Sequence, residues 1–329
     1  MNGTIIDKVN NNMSLETIRT RIQDLYSHFT QTQFQSYLQY LNKKIRNNWK
    51  QNPDIERLSV IKEDAMQLRN YNNIKFPVKV IATKKYNGPK VKKVNDPFAR
   101  EVCEKNYIES LSKTHALIYN KFPLVSSHVL VITKDMESQV SPVTKNDFYA
   151  ALKVMHALDG FVFFNGGAAA GSSQRHKHLQ LLPYDAYPEH DIPLNALVNA
   201  TGKSESYVEG TEYGKVEAFK FKHVLCKFER NFLTNINSNT LENQAELLEA
   251  IYKECLRRLD NSDLHLAYNF ILTKNWLFVI LRKCEAAMDR IKLNGVGFTG
   301  SFAVNSEEDY EFLMKQDPLD ILQEVTFPG

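Results

Sequence analysis

The sequence lacks most of what would staple a chain, anchor it in a bilayer or steer it to a polyanion. It has four cysteines in 329 residues, and Cys103, Cys226, Cys255 and Cys284 stand far apart with no Cys-x-x-Cys pair. That argues against a disulfide frame or a zinc site and for reduced thiols in a cytoplasmic protein. No apolar run approaches the ~20 residues that span a bilayer, and the first eight residues lack the apolar core of a signal peptide, so no membrane partner is expected. The net charge is only +3, so composition gives no reason to expect nucleic acid as a partner. What is present is a 43% hydrophobic composition, suited to a packed soluble protein of one large domain or two ordinary ones.

Read in order, residues 1–13 are Asn-rich and expected to fray. Leu15, Ile18, Ile22, Leu25 and Phe29 recur at helical spacing; after Thr30-Gln31-Thr32-Gln33 a second set follows at Phe34, Leu38, Leu41 and Ile45. Two amphipathic helices are expected, in an N-terminal extension of residues 1–65 that is a candidate surface for a protein partner. Residues 76–82 alternate as a strand and lead into a basic loop, residues 84–93. Such loops are usually just solvated, but lysines at a rim also attract polyphosphates. Two branched-residue strands flank Asn120-Lys121-Phe122-Pro123, a helix is expected over 144–158, and a buried strand over 160–164. Further on, residues 219–225 read as a strand, 241–259 as a helix and 268–280 as a strand pair, after a soft boundary near residue 195. Strands beside face-covering helices make an α+β protein.

Chemistry concentrates between Asn165 and Pro183. From Gly166 to Ser173 every side chain is Gly, Ala or Ser, so a ligand can approach the backbone closely, and N–H groups of such a loop form an anion cradle. His176, His178 and Gln180 then alternate, which places all three on one face of an extended strand. A row of nucleophile-capable groups beside an anion cradle points to attack on phosphorus. His-x-His is equally the pattern of a zinc-binding pair or of a buried polar strand without function, and glycine–alanine runs are often plain turns.

His-x-His-x-Gln after a Gly-Ser-Ser loop, with Asn165 upstream, resembles the nucleotidyltransferase branch of the histidine-triad superfamily, and within it the diadenosine tetraphosphate phosphorylases, or ATP adenylyltransferases. Galactose-1-phosphate uridylyltransferases share the motif but usually have Pro where Lys177 stands. The resemblance extends over roughly residues 70–325, through Asn120 to Thr133 and Asn294 to Gly300. It implies a histidine-triad-like antiparallel sheet with packed helices (residues 66–195), extended by a C-terminal α+β half (residues 196–329). It also implies cleavage of diadenosine tetraphosphate by phosphate to ADP and ATP, with His178 as nucleophile, Gln180 donating to a phosphoryl oxygen, and the second ring nitrogen of His178 held by a carbonyl near His176. Nucleotide contacts carried over are Lys85 (with Lys84 beside it), Asn120, Lys121, Asn165, Gly171, Ser172, Ser173, Gln174, Asn294, Gly295 and Val296. His128 is read as a structural histidine. Ser301 and Asn305 depart from the Met and Lys of the relatives. Magnesium is expected to arrive with the polyphosphate, without a protein metal site. A sugar-nucleotide phosphorylase or uridylyltransferase, a zinc protein and a non-catalytic partner-binding protein remain as alternatives.

Overall fold

Branched and aromatic residues that alternate across a pleat build most of the strands in this computed structural model. It describes residues 15–52, 55, 59–68, 74–82, 96–187, 190–200, 205–208, 211–229, 232–233 and 238–329, with side chains in the first helix described from residue 31 onward. Lys84 and Lys85 lie outside the described residues. In chain order the strands are β1 (Ser59–Leu68), β2 (Ile74–Ala82), β3 (Tyr107–Ser110), β4 (His115–Tyr119), β5 (Val129–Thr133), β6 (Gly160–Gly166), β7 (His178–Pro183), β8 (Glu205–Val208), β9 (Thr211–Gly214), β10 (His223–Phe228), β11 (Ala267–Leu272), β12 (Trp276–Arg282), β13 (Ala286–Ala287), β14 (Ile291–Lys292) and β15 (Phe302–Val304). The helices are α1 (Leu15–Gln51), α2 (Arg100–Cys103), α3 (Lys145–Ala157), α4 (Pro193–Ala200), α5 (Ser238–Arg258), α6 (Glu307–Leu313) and α7 (Pro318–Glu324).

Ten strands form one sheet in the order β3-β4-β5-β7-β6-β11-β12-β10-β9-β8, with antiparallel neighbours throughout. The α+β architecture expected from the sequence is therefore present. The sheet runs through both halves of the chain, joined where β6 pairs with β11. Strand alternation assigns the faces. Val129, Val131, Leu179, Leu181, Val162 and Phe164 point to a core shared with α1, α3 and α5. On the other face, Phe161, Phe163 and Phe278 meet a second core under the small β1-β2-β15 sheet and the C-terminal helices. Thr144 caps α3 through a capping box with Asp147, fixing where that helix begins.

Three local expectations change. The N-terminal region forms one continuous 37-residue helix, not two; Thr30-Gln31-Thr32-Gln33 contains neither Gly nor Pro, so nothing interrupts the i→i−4 ladder. Phe34, Leu38, Leu41, Ile45 and Trp49 bury one stripe of α1 in the protein's own core, and the Tyr119 hydroxyl donates to the Ile45 carbonyl at 2.6 Å. Strand β10 begins at His223 and not at Phe219, because Phe219 and Phe221 stack on each other at 4.8 Å while Lys222 N–H donates to the Phe327 carbonyl. Strands β1, β8 and β9 carried no clear alternation and emerge only through their pairing partners. Among the described residues, no helix is long and apolar enough to cross a membrane.

Candidate active site

Strand register brings the site together. Ile132 opposes His178 and Leu130 opposes Gln180 across β5 and β7, so the histidine and the amide share the face away from α3. Their ceiling is the segment after Asp96, where the Phe98 ring lies edge-on to His178 at 5.1 Å and to His176 at 5.7 Å. Between this segment, the Asn120 turn and the Gly171–Gln174 loop opens a cleft of about 540 Å³, lined by His178, Gln180, His128, Asn120, Lys121, Asn165, Gly171, Ser173, Gln174 and Asn294 among others. The same cleft is lined by the apolar Phe98, Val102, Cys103, Ile118 and Leu130. A groove of about 350 Å³ shares Gly171 and Asn294 with it and carries Val296, Ser301 and Asn305. A separate cavity of about 570 Å³ around Tyr213 and His223 contains none of these groups. Both His223 ring nitrogens are bonded there, to Val216 N–H and the Phe221 carbonyl.

The bonds around His178 fix its tautomer. Nδ1 lies 2.8 Å from the His176 carbonyl, which can only accept. Nδ1 therefore carries the proton, and Nε2 keeps its lone pair. Burial pulls the His178 pKa down to about 4, against the opposing effect of the His176 carbonyl, so the ring is neutral near pH 7. The expected carbonyl partner near His176 is thus present. The His176 ring itself is fully engaged, with Nε2 2.9 Å from the Thr133 carbonyl and Nδ1 2.8 Å from Asp96 Oδ2. Its contribution toward the cleft passes through its backbone carbonyl. With the His176 ring bound in this way, the pair does not present two free nitrogens to a common metal. Among the described residues, no group of three or more His, Cys, Asp or Glu is placed to hold a metal ion.

Gln180 is oriented by a residue that the sequence marked only as structural. Leu124 N–H donates to His128 Nδ1 at 3.3 Å, so the His128 proton sits on Nε2 and is donated to Gln180 Oε1 at 3.0 Å. With its oxygen occupied, Gln180 turns its NH₂ toward the cleft. Burial holds the His128 pKa near 3, which keeps this arrangement neutral. Asn120 forms the turn beside it, its Oδ1 accepting Phe122 N–H at 2.9 Å.

The small-residue loop is built around Gly171, at φ +83°. An added Cβ would stand 2.7 Å from both Asn294 Cβ and the Leu293 carbonyl, so only glycine allows the two loops this approach. Gly171 N–H donates to the Ala168 carbonyl and Ser172 N–H to the Gly167 carbonyl. The Ser172 hydroxyl donates to the Gln174 carbonyl at 3.0 Å. Ser172 therefore supports the loop from within, while Ser173 and Gln174 line the cleft. Asn165 ties the halves together, its Oδ1 accepting from Gly295 N–H at 2.9 Å and from Asn269 Nδ2 at 2.8 Å. Asn294 Oδ1 accepts Val296 N–H at 2.9 Å and closes that turn.

Sequence reasoning missed three supporting residues. Asp96 holds His176. Gln139, 3% exposed, bonds the backbone of His178. Arg282, 1% exposed, donates to Asn269 Oδ1 at 2.6 Å and to the Leu293 carbonyl at 3.0 Å behind the glycine loop. A buried arginine at the end of an apolar strand was the one signal that could have been noticed.

The Ap4A phosphorylase N-terminal domain matches residues 31–200, and the ATP adenylyltransferase C-terminal domain matches residues 217–328. In Saccharomyces cerevisiae, Protein APA1 is 27% identical over 257 residues, covering 66% of this chain and 70% of that protein. Diadenosine 5',5'''-P1,P4-tetraphosphate phosphorylase 2 of the same yeast is 27% identical over 269 residues, covering 69% and 73%. The crystal structure of yeast Ap4A phosphorylase Apa2 superimposes with a TM-score of 0.68 at 24% identity, over 88% of this chain and 94% of that one. At that identity the superposition establishes the shared fold. The first domain match alone spans more than half of the chain, and the chain belongs to the Ap4A phosphorylase family.

Proposed function

We propose that the protein cleaves diadenosine tetraphosphate with inorganic phosphate, giving ADP and ATP, by carrying the adenylyl group on His178. The supporting observation is the neutral His178 ring, with Nδ1–H on the His176 carbonyl and the Gln180 amide beside it in the cleft. In the first step the Nε2 lone pair attacks the α-phosphorus, an N–P bond forms, the α–β bridging P–O bond breaks and ATP leaves. The ring becomes cationic, and the bond from Nδ1–H to the carbonyl strengthens as that charge develops. A phosphate oxygen then attacks the same phosphorus, the N–P bond breaks, ADP departs and the neutral ring returns. The group expelled in the first step and the nucleophile of the second are phosphates of low pKa, and the group expelled in the second is the imidazole, which leaves neutral with its Nδ1 proton in place, so little proton delivery is required. Gln180 suits that demand, since an amide NH₂ donates to a phosphoryl oxygen and cannot release a proton.

The apolar side chains of the cleft suit a base, and the adjoining groove past Gly171 and Asn294 suits the rest of a dinucleoside polyphosphate. Lys121, Asn120, Ser173 and Gln174 serve as phosphate or ribose contacts, with Lys85 in the basic loop as a further one. Ser301 and Asn305 line that groove, where their departure from Met and Lys bears on the distal half of the substrate. Magnesium arrives with the polyphosphate, whose own oxygens supply its ligands along with water. Four cysteines, none in a disulfide and three of them buried, suit a reducing, cytoplasmic setting.

The test is to incubate the protein with diadenosine tetraphosphate labelled at the α-phosphate, without phosphate. Label should appear on His178, be lost in acid, survive alkali and leave as ADP when phosphate is added. His178→Ala should fold normally, carry no label and show no turnover. Wild-type turnover without any trapped adduct, under kinetics that require both substrates to be bound together, would refute the covalent reading.

A further inference from the structure

The pairing of β6 with β7 runs from Gly160↔Pro183 to Phe163↔Gln180 and stops there. Continued in register, it would bring Asn165 opposite His178. The Gln139 side chain occupies the place of that absent rung. Its Oε1 accepts His178 N–H at 2.8 Å. Its Nε2 donates to the Asn165 carbonyl at 2.9 Å and lies 3.2 Å from the His178 carbonyl. A carboxamide has the donor and acceptor of a peptide unit, so one side chain substitutes for a stretch of backbone in the ladder.

The segment that delivers Gln139 is itself pinned. Gln139 N–H donates to the Arg175 carbonyl at 2.7 Å and Lys177 N–H to the Glu137 carbonyl at 2.8 Å. The buried Lys177 ammonium donates to the Pro142 carbonyl and Asp147 Oδ2, each at 2.7 Å. Gln139 therefore has little freedom to withdraw, and the strands are held apart at the level of His178.

We propose that Gln139 is a positioning residue for the transfer reaction. By holding the His178 backbone off Asn165 it sets where the imidazole stands in the cleft, while touching neither the cleft nor the ring. The proposal rests on the reading that His178 carries the adenylyl group. Without the amide, His178 N–H is either left buried and unpaired or draws toward the Asn165 carbonyl, and the ring moves with the backbone.

Gln139→Met preserves length and removes all three bonds. Rapid-quench measurement of adenylyl-enzyme formation should show a fall of about 10²-fold, the scale for a displacement near 1 Å, with the KM for diadenosine tetraphosphate within about threefold. A second arm uses the His178→Gly protein with the imidazolide of AMP, whose free imidazole is not tied to the backbone. There, adding Gln139→Met should leave transfer to phosphate unchanged. Wild-type adenylylation in Gln139→Met, or an equal loss in the imidazolide arm, overturns the proposal. If Gln139→Met does not fold, Gln139→Glu keeps the acceptor for His178 N–H and loses the donor; a normal rate of adduct formation in it likewise overturns the proposal. The covalent reading fails separately, on the wild-type protein alone, if no His178 adduct forms.

Discussion

Replacing Gly171 by alanine tests whether the contact between the glycine loop and the Asn294 loop is as tight as the structure has it. The new methyl would sit at φ +83°, which costs a non-glycine residue roughly 1–2 kcal/mol, and 2.7 Å from Asn294 Cβ and the Leu293 carbonyl. Reaching an ordinary 3.4 Å contact requires a retreat of about 0.7 Å (3.4 − 2.7). The retreating atoms are not free, because the Leu293 carbonyl accepts from Arg282 at 3.0 Å and Asn294 Oδ1 accepts from Val296 N–H. Overpacking of this kind adds roughly 1–3 kcal/mol, for a total near 2–5 kcal/mol, seen as a lower denaturation midpoint. The part not lost as stability appears as displacement of cleft-lining residues, and kcat should fall by about 10- to 100-fold. Gly297→Ala is the control, since Gly297 is outside the left-handed region and its methyl meets the Leu293 side chain, with Cδ2 at 3.0 Å, and not backbone; it should cost less than Gly171→Ala. A Gly171→Ala protein that melts and turns over like wild type would refute the reasoning.

Three further outcomes are expected. Burial lowers the pKa values of His156, His178 and His223 to about 4 and of His128 to about 3. The folded values lie below the unfolded ~6.5, so the unfolded chain binds the extra protons; stability is full above pH 6.5 and falls below it by up to about 1.4 kcal/mol per histidine per pH unit, which denaturant titrations at pH 7 and 5 would show or disprove. Lys177→Met takes the ammonium from the buried Asp147 carboxylate, which keeps its bonds from His115 and Thr144, and should destabilise by roughly 1.5–3 kcal/mol, with partial recovery on adding Asp147→Asn; additive losses in the double variant would contradict the pairing. Gln180→His supplies a proton donor where the amide has none, so product analysis should find more AMP relative to ADP; an unchanged ratio removes Gln180 as the group favouring transfer over hydrolysis.

Much of the site was legible because it is local. The two-residue alternation of His176, His178 and Gln180 and the helical spacing over α3 and α5 express backbone periods that neighbouring residues fix without help. The small-residue loop likewise announces its backbone freedom. Where the sequence misled, a local pattern was incomplete: α1 was divided at a polar stretch that contains no breaker, and β1, β8 and β9 show too little alternation to stand alone.

What only the tertiary structure decided is which distant groups complete each polar bond. Gln139 reaches His178, Asp96 reaches His176, and Asn165 meets Gly295 across 130 residues of chain. Arg282 braces the Leu293 carbonyl and, through Asn269, the base of the glycine loop. None of these pairings has a period or a fixed spacing, because a buried donor is satisfied by whatever acceptor the packed sheet carries to it. The sequence by itself determined which residues could do the chemistry; the tautomer of His178, the outward-turned amide of Gln180 and the parted strands between them exist only once the chain has closed around them.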